Sequence, residues 1–357
     1  MKLNFIRLRN FRNAEFAEIA AAGESLWVFG KNAQGKTNLL EAVGALNAAR
    51  SFRTSSLETL VRAGEKSAQI LAEVQTTASG KTEIEMSFGA EKSLKVDGSE
   101  TKLSEYLGKF PALAITNEDI RLIRGSPEIR RKDMDMFISS IDAEYFEILR
   151  RYYRALAQRN ALLKNTETDA HLFDAFESEM AQCAAVLIQK RKDVFAQLGN
   201  SASGKYETLA GQSPDCARIS LKPNCDADSA EAFAEMLRKN RPSDAERRTT
   251  QKGIHRDDFK IFVDEKDAKL YASEGQQKSA AIAIRLAQFE MCAAILREEP
   301  LLVCDDILGE LDASRREKFW QILSPTAQVV ASSTEKISQP DRVWKMLNVE
   351  NGTFNEC

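Results

Sequence analysis

Residues 30–37 read GKNAQGKT and fit the pattern G-x-x-x-x-G-K-[ST], which is typical of a loop that wraps around phosphate groups. An apolar run, Leu26 to Phe29, precedes the loop and is predicted to be a buried strand, and residues 38–46 have helical apolar spacing. Backbone N–H groups at the start of such a helix stabilise negative charge. The sequence therefore predicts a nucleotide-binding loop formed by Gly30, Lys31, Asn32, Ala33, Gln34, Gly35, Lys36 and Thr37.

Two side chains of this loop have predicted roles in holding a nucleotide. Lys36 would reach the β- and γ-phosphates of ATP, and the Thr37 hydroxyl would coordinate Mg²⁺. ATP and Mg²⁺ are therefore the expected cofactors.

A second motif is an apolar run that ends in two acids, Leu301 to Asp306. A buried strand with carboxylates at its end suits a Mg²⁺ site at the carboxyl edge of a parallel sheet. Asp305 would hold the metal, and Asp306 would orient or deprotonate an attacking water. Taken alone, an acidic strand end is as often a solvated turn, so this assignment depends on the phosphate-binding loop.

The third motif is Ser273-Glu274-Gly275-Gln276-Gln277, which stands 32 positions before Asp305 and precedes a helix predicted from Ala280 to Leu296. It resembles the signature loop of ATP-binding-cassette proteins, in which Ser and Gly amides contact the nucleotide held by a partner subunit. Ser273, Gly275 and Gln276 are therefore candidate nucleotide ligands. The alternative is an ordinary serine cap followed by a glycine turn.

Two further segments complete the resemblance to ATP-binding-cassette proteins. Gly309-Glu310-Leu311-Asp312 resembles the D-loop, which in those proteins reaches across a dimer interface. Ser332-Ser333-Thr334 follows the next predicted strand and occupies the place of the switch residue, for which Thr334 is the candidate.

The distance between the motifs distinguishes this chain from other classes of ATP-binding-cassette protein. Lys36 and Asp305 are 269 positions apart, which is much more than in a transporter cassette and much less than in a head with a long coiled coil. Further segments fit one family pattern together with these motifs: Leu8 to Asn13, Gly30 to Glu41, Ser51 to Arg53, Gly125 to Pro127, Arg130, Arg131, His255 to Asp258, the signature, Asp305, Asp306 and Glu310 to Asp312. On these residues the chain resembles, over essentially its full length, the RecF family, a group of bacterial recombination and gap-repair proteins.

This resemblance implies an ATPase that forms an ATP-dependent homodimer on DNA, hydrolyses slowly and works with RecR and RecO to load recombinase at gaps. It also implies roles in replication-fork maintenance and SOS induction. The sequence departs from the family pattern at Gly309, where the D-loop usually begins with Ser, at Asn117, usually Pro, and at Ile254, usually Pro.

The order of predicted elements indicates an α/β fold with an ATP-binding-cassette-type P-loop head built from both chain ends and an inserted, mainly helical arm. We expect the head at 1–125 and 251–357 and the arm at 126–250.

In the head, Leu3 and Phe5 would share one strand face, and Ile6 and Leu8 the other. In the arm we expect long helices at 134–163 and 172–198, a loop-rich stretch at 199–229 with Pro214 and Pro223, and a short helix at 230–237.

Composition argues against several other classes of protein. No window approaches the ~20 uninterrupted apolar residues of a membrane span. The six cysteines have no paired spacing and the chain has two histidines, so we expect neither a zinc site nor disulfides, and a cytoplasmic location. The net charge of −3 is uninformative about nucleic acid, because a local basic patch suffices.

Such a patch is a hypothesis for Arg121 to Lys164, where ten Lys and Arg face six Asp and Glu. Arg150, Arg151, Arg154 and Arg159 would lie on the polar side of the long helix and contact DNA phosphates without sequence specificity, or form a solvated face. Arg50 and Arg53 form a second candidate patch. A non-enzymatic ATP-gated clamp, a motor or nuclease accessory, and a P-loop kinase are the rival functions.

Overall fold

The structure is a computed structural model that describes residues 1–165, 170–211, 217–225, 227, 229–337 and 342–357. Its strands are β1 (Lys2–Phe11), β2 (Ala14–Ala20), β3 (Ser25–Phe29), β4 (Ser67–Thr76), β5 (Gly80–Gly89), β6 (Ser93–Val96), β7 (Ser99–Glu100), β8 (Ala112–Thr116), β9 (Ala217–Lys222), β10 (Asp258–Val263), β11 (Lys266–Asp267), β12 (Leu301–Asp305), β13 (Val329–Ser333), β14 (Trp344–Glu350) and β15 (Thr353–Glu356). Its α-helices are α1 (Lys36–Ala45), α2 (Leu103–Tyr106), α3 (Arg121–Arg124), α4 (Pro127–Ile141), α5 (Ala143–Leu162), α6 (Ala170–Ala210), α7 (Ala230–Arg247), α8 (Ala268–Tyr271), α9 (Glu274–Leu296), α10 (Ile307–Glu310) and α11 (Ala313–Ile322).

One six-stranded sheet is antiparallel throughout, in the order β2-β1-β4-β5-β6-β7. A bulge in β1 shifts the pairing with β4 between Leu3 and Phe5. The extra residue interrupts the alternation of faces, so Leu3, Ile6 and Leu8 are all fully buried and Phe5 is not. The prediction that placed Leu3 on the opposite face from Ile6 and Leu8 is therefore wrong.

The second six-stranded sheet has the order β15-β14-β3-β13-β12-β8, and every pair except β14 with β15 is parallel. Strands β3, β12 and β13 are almost wholly buried, as expected of parallel strands covered on both faces. Since β13 lies between β3 and β12, the loops that follow these three strands leave one edge of the sheet side by side.

Helix α1 belongs to one hydrophobic core with both large sheets. Leu39, Leu40 and Val43 of this helix have no accessible surface, and they share the core with Ile70 of β4 and Val303 of β12. Burial on nearly all sides explains why the helix has little amphipathic character, and it fixes the phosphate-binding loop at its N-terminus.

The chain divides into two compact units. The first comprises Met1–Asp119, Lys205–Gln212 and Ala281–Cys357 and holds both six-stranded sheets. The second comprises Ile120–Gly204 and Ser213–Ala280 and is mainly helical, with one small sheet in the order β11-β10-β9. An α/β unit built from both chain ends with a mainly helical insertion is thus confirmed. The assignment of 1–125 and 251–357 to the head and 126–250 to the arm stays a prediction.

The single helix predicted from 134 to 163 is instead two helices, α4 and α5, separated by Asp142. Asp142 has an extended backbone (φ −144°), and its carboxylate accepts a hydrogen bond from the N–H of Tyr145 at 2.9 Å. Aspartate is a strong N-cap, so a residue that fits the polar side of a continuous helix instead starts a new one.

Other element bounds also differ from the prediction. Helix α6 continues to Ala210 and is followed by β9, so the stretch predicted to be loop-rich is largely helix and strand in its described part; Pro214 lies outside the described residues. Helix α7 runs on to Arg247, with Pro242 inside it, and α9 begins at Glu274, six residues before the predicted start.

Two arginines are fully buried in the second unit and hold its helices together. Arg159 contacts Glu177 at 3.0 Å and Asp244 at 2.8 Å. Arg191 contacts Asp135 at 2.6 Å and Asp257 at 2.7 Å. Arg159 is therefore not part of a polar helix face, and the prediction that grouped it with a DNA-facing surface is wrong.

Within the described residues, only α9 is long and apolar enough to cross a membrane, and 67% of its apolar window is buried inside the structure. Core helices of soluble proteins pass the same test, and this burial is that of a core helix. The cysteines described are free thiols: Cys183, Cys225, Cys292, Cys304 and Cys357.

His255 is a buried neutral imidazole in the second unit. Its Nε2 lies 3.2 Å from the carbonyl oxygen of Thr250, so Nε2 carries the proton and Nδ1 accepts from the Tyr152 hydroxyl at 2.9 Å. Burial, aided by the charges of Arg256, Arg131 and Arg159, lowers the pKa of His255 from 6.5 to about 4. The unfolded chain therefore binds a proton between pH 6.5 and 4 that the folded chain does not bind.

We predict that this histidine makes the protein acid-sensitive. The neutral His255 contributes fully to the free energy of unfolding above pH 6.5. As the pH falls towards 4, protonation of the unfolded chain removes this contribution, a loss on the order of 3 kcal/mol in total. Chemical denaturation between pH 7 and 4.5 should show a smaller loss of unfolding free energy for His255→Gln than for the parent. His171→Gln, which changes the other, exposed histidine, is the matched control. Parallel pH profiles for His255→Gln and the parent would contradict the assignment.

Candidate functional site

The phosphate-binding loop leaves β3 in a conformation that two glycines make possible. Gly30 (φ 149°) and Gly35 (φ 114°) both lie in the left-handed region. A Cβ at Gly30 would stand 2.6 Å from the carbonyl oxygen of Val349, and a Cβ at Gly35 would stand 2.8 Å from the side chain of Asn13. Val349 and Asn13 of the same chain thus lie so close that a side chain at Gly30 or Gly35 would clash with them, which reinforces the requirement for glycine at both positions.

Lys36 begins α1 and is buried, with 4% of its surface exposed. Its ammonium donates hydrogen bonds to the carbonyl oxygens of Gly30 at 2.8 Å and Lys31 at 3.0 Å. The positive charge is thus held inside the curve of the loop, where the first N–H groups of α1 also have no acceptor within the helix. This arrangement suits a polyanion.

Asp305, at the end of β12, is held between two hydroxyl groups from two other segments. The Thr37 hydroxyl donates to its Oδ1 at 2.9 Å, and the Ser332 hydroxyl donates to the same oxygen at 2.8 Å. Burial raises the pKa of Asp305 above its usual value, and the hydrogen bonds from Ser332 and Thr37 oppose that rise. The phosphate-binding loop, β12 and β13 therefore meet at this carboxylate.

Asp306 follows in the left-handed region (φ 54°), which is uncommon for a residue with a side chain. Its N–H donates to the Ser332 hydroxyl oxygen at 2.9 Å, and the turn leads directly into α10. Thr334, the predicted switch residue, lies beyond the end of β13 and is exposed. The residue of this segment that contacts both aspartates is Ser332, which the sequence pattern did not single out.

The oxygen donors at this strand edge fit a magnesium ion. Thr37 and Ser332 offer hydroxyls, and Asp305 and Asp306 offer carboxylates. Within the described residues, no cluster of three or more His, Cys, Asp or Glu forms a metal cage. Mg²⁺ prefers this situation, with one or two carboxylates plus water and phosphate oxygens.

A second group of residues holds helix α1, and with it the phosphate-binding loop, in place. The sequence did not predict this role. Glu41 of α1 is fully buried. Its carboxylate accepts hydrogen bonds from Arg12 Nε at 2.8 Å and from Arg12 Nη2 at 2.7 Å, and Arg53 Nη1 lies 3.2 Å from the same carboxylate. Ser51 also donates to Glu41. Arg53, predicted as part of a DNA-facing patch, is thus turned towards α1, and its charge joins the hydrogen bonds that oppose the rise in the pKa of Asp305 on burial.

Asn13 and Gln34 connect this group to the phosphate-binding loop. The Asn13 amide donates to the carbonyl oxygen of Gln34 at 3.1 Å, and Gly352 N–H donates to that oxygen at 2.8 Å. Residues 12–13 and 51–53 are among the matches to the RecF family, and this was the only signal in the sequence that could have identified them.

The signature segment lies in the second unit and forms the first turn of α9. The Ser273 hydroxyl accepts from Gln276 N–H at 3.3 Å, and the Gln276 side chain accepts from Ser273 N–H at 2.8 Å. This reciprocal cap orders the turn. It leaves the N–H groups of Glu274 and Gly275 without an acceptor inside the helix, so the segment can present donors to an anion.

The segment that resembles the D-loop is tied to the end of β8. Asn117 Nδ2 donates to Glu310 Oε1 at 2.6 Å, and Asp312 caps α11 through the N–H of Arg315. Gly309 is exposed, and a Cβ placed there would meet nothing within 4 Å. The usual Ser would therefore fit at this position without a change in the fold.

The arginines of α5 that were predicted to face DNA differ in their partners and in their exposure. Arg150 pairs with Glu147 at 3.0 Å and Arg151 pairs with Glu179 at 2.8 Å, and both are about half exposed. Arg154 is exposed. With Arg159 removed from the group, these three remain candidates for phosphate contacts.

Comparisons with known proteins agree with these motifs. The profile of the RecF/RecN/SMC N terminal domain matches residues 2–355. The DNA replication and repair protein RecF of Clostridioides difficile (strain 630) is 31% identical over 366 residues, which cover 99% of this chain and 97% of that protein. The protein of the same name from Bacillus mycoides (strain KBAB4) is 31% identical over 370 residues, with coverage of 99% and 98%.

Solved structures give the same result. A structure of the recombination mediator protein RecF-ATP in the RecFOR pathway superposes with a TM-score of 0.91 at 29% identity and covers 100% of this chain and 97% of that chain. The Smc head domain of Pyrococcus furiosus superposes with a TM-score of 0.56 at 14% identity and covers 100% and 96%, which shows a shared fold. The predicted ATP-binding-cassette-type head is therefore confirmed, and this chain belongs to the RecF family.

Proposed function

We propose that this protein is a cytoplasmic, ATP-dependent DNA-binding protein of recombinational gap repair. It would dimerise on duplex or gapped DNA when it binds ATP, hydrolyse ATP slowly, and help to load recombinase with RecR and RecO. Replication-fork maintenance and SOS induction would follow from the same activity. The observation that carries the proposal is the Asp305 carboxylate, shared by Thr37 of the phosphate-binding loop and Ser332 of the neighbouring strand. Relatives named for DNA replication and repair support it.

In the proposed site, residues 30–37 bind the phosphates of ATP. Lys36 would exchange its two carbonyl acceptors for phosphate oxygens, which compensate its charge better. Thr37 and Asp305 would hold Mg²⁺, which would neutralise phosphate charge during hydrolysis. Asp306 would accept a proton from the attacking water or orient it, and Thr334 would sit close to the same phosphate as the switch residue.

The second half of each site would come from the partner subunit. The capped turn at Ser273, with the N–H of Gly275 and the side-chain Nε2 of Gln276, would contact the γ-phosphate bound by the other copy. Two copies related by a twofold axis would each close the other's site. ADP lacks the γ-phosphate and would not hold the dimer together.

The alternative is an ATP-gated DNA clamp or scaffold with negligible turnover. Asp306 is one methylene shorter than the glutamate common at this place in transporters, and its backbone is fixed by Ser332. A carboxylate held back in this way would position water poorly, so binding and release of ATP could dominate over hydrolysis.

Binding to DNA would involve the phosphate backbone. The three exposed arginines of α5, Arg150, Arg151 and Arg154, are candidates for these contacts. Affinity should then fall with salt and depend little on base sequence.

Asp306→Asn is predicted to keep ATP affinity and to slow hydrolysis by roughly a hundredfold or more, because an amide cannot accept the proton of water. Calorimetry would measure ATP binding, and a phosphate-release assay would measure turnover. Glu317→Gln, which neutralises an exposed carboxylate on α11, is the matched control and should behave as the parent. Parental turnover in Asp306→Asn would remove Asp306 from the mechanism.

A mixing experiment tests whether the site is shared between subunits. Ser273→Arg should bind ATP normally, because its phosphate-binding loop is intact, yet fail to dimerise or hydrolyse. Lys36→Ala should fail to bind ATP. A mixture of the two should recover hydrolysis, to at most about half of parental turnover, because each mixed dimer holds one complete site of two.

Ser273→Arg also removes a helix cap, so its control is the same substitution at Ser229, which caps α7 through the N–H of Ala232. Ser229→Arg should lose similar stability and still dimerise. If Ser273→Arg dimerises with ATP, or if the mixture stays inactive although both proteins are folded, the shared site is refuted.

A further inference from the structure

An arginine outside all of the nucleotide motifs contacts the first turn of α9. Arg124, the last residue of α3, donates from Nε to Gln277 Oε1 at 2.5 Å. Gln277 is buried with 5% of its surface exposed, whereas the Arg124 side chain is 45% exposed. The contact therefore joins a partly solvated cation to a buried amide one residue after Gln276.

The same glutamine also fixes the segment that leads into the signature. Gln277 Nε2 donates to the carbonyl oxygens of Ala268 at 2.8 Å and Ala272 at 3.1 Å. Carbonyls can only accept and a guanidinium can only donate, so the orientation of the amide is determined. Ala272, Ser273 and the start of α9 are thus attached to one side chain, whose remaining polar atom is bound by Arg124.

Arg124 is itself placed by the segment that follows it. Gly125 approaches α3 so closely that a Cβ would stand 2.4 Å from the carbonyl oxygen of Arg121. The carbonyl oxygen of Gly125 accepts from Arg130 Nη1 at 2.9 Å, and Arg130 forms a bidentate pair with Asp258 at 2.7 and 2.9 Å. Asp258 begins β10, which pairs with β11 immediately before α8.

These contacts form a closed frame around the signature turn. From Asp258, one branch runs along the chain through β10, β11 and α8 to Ser273. The other runs through Arg130, Gly125 and Arg124 to Gln277. This frame gives a structural role to Gly125, Arg130 and Asp258, which have no part in the proposed nucleotide chemistry.

We propose that Arg124 is a positioning residue for the signature: it fixes the direction in which the N–H groups of the first turn of α9 are presented to the nucleotide of a partner subunit. This inference rests on the proposed shared site and adds the residue that orients one half of it. Arg124 acts on this turn through its hydrogen bond to Gln277 and through a longer ion pair with Glu274 at 3.9 Å, and it is not proposed to contact nucleotide.

The test uses ATP-dependent dimerisation without DNA, so that a loss of phosphate contacts to DNA cannot enter. Arg124→Ala should bind ATP with parental affinity, because residues 30–37 are unchanged. The ATP concentration for half-maximal dimerisation should rise roughly tenfold, the effect of one lost hydrogen bond to a charged group. Arg124→Lys keeps the charge but not the Nε geometry and should recover part of the loss. Arg238→Ala, which removes an exposed arginine that pairs with Glu235 on α7, is the control and should dimerise as the parent.

A double-mutant cycle separates this role from general destabilisation. Adding Arg124→Ala to a Gln277→Ala background should raise the half-maximal ATP concentration less than it does in the parent, because only the 3.9 Å ion pair with Glu274 is then left to lose. Thermal melting of each variant would verify folding. If the parent dimerises with ATP neither alone nor on duplex DNA, the proposed function itself fails. If the parent dimerises and Arg124→Ala matches it, or if the two substitutions act additively, the positioning role of Arg124 is refuted.

Discussion

The arrangement of this site depends on one carboxylate oxygen with two hydroxyl donors. Asp305 Oδ1 receives Thr37 from the start of α1 and Ser332 from the end of β13. These residues are far apart in the sequence and can meet only because β3, β13 and β12 are adjacent and parallel, so that their carboxyl ends leave the sheet together. A change in strand order would separate the phosphate-binding loop from both aspartates.

Burial around the loop keeps that geometry in place. Helix α1 packs into a core shared by both large sheets, and its one buried acid, Glu41, is neutralised by Arg12 and Arg53. A buried carboxylate without those partners would be costly. The surroundings of α1 therefore restrict the loop to one position.

The sequence could predict those parts of the site that chain-local patterns specify. The loop at 30–37 and the acids at the end of β12 follow from strand, glycine and charge patterns, and so does the α/β fold from both chain ends. The break of α4 from α5 at Asp142 was missed because the apolar period continues through a capping residue. Ser332, Arg12 and Arg53 were missed as contacts of the site because only the tertiary structure brings them to Asp305 and Glu41. Arg159 was misplaced because helical periodicity reports a face and not the buried acids that pair with it.

The two units have complementary roles in the proposed cycle: one would hold the phosphates and the metal, and the other would present the N–H groups of Glu274 and Gly275, which the cap at Ser273 leaves without an acceptor. The γ-phosphate would couple two copies of the chain. Sedimentation of the unmodified protein with ATP, with ADP and with neither, each with and without duplex DNA, measures this coupling directly. We expect a dimer with ATP, strengthened by DNA, and a monomer with ADP or without nucleotide. Equal sedimentation with ATP and ADP would contradict this expectation.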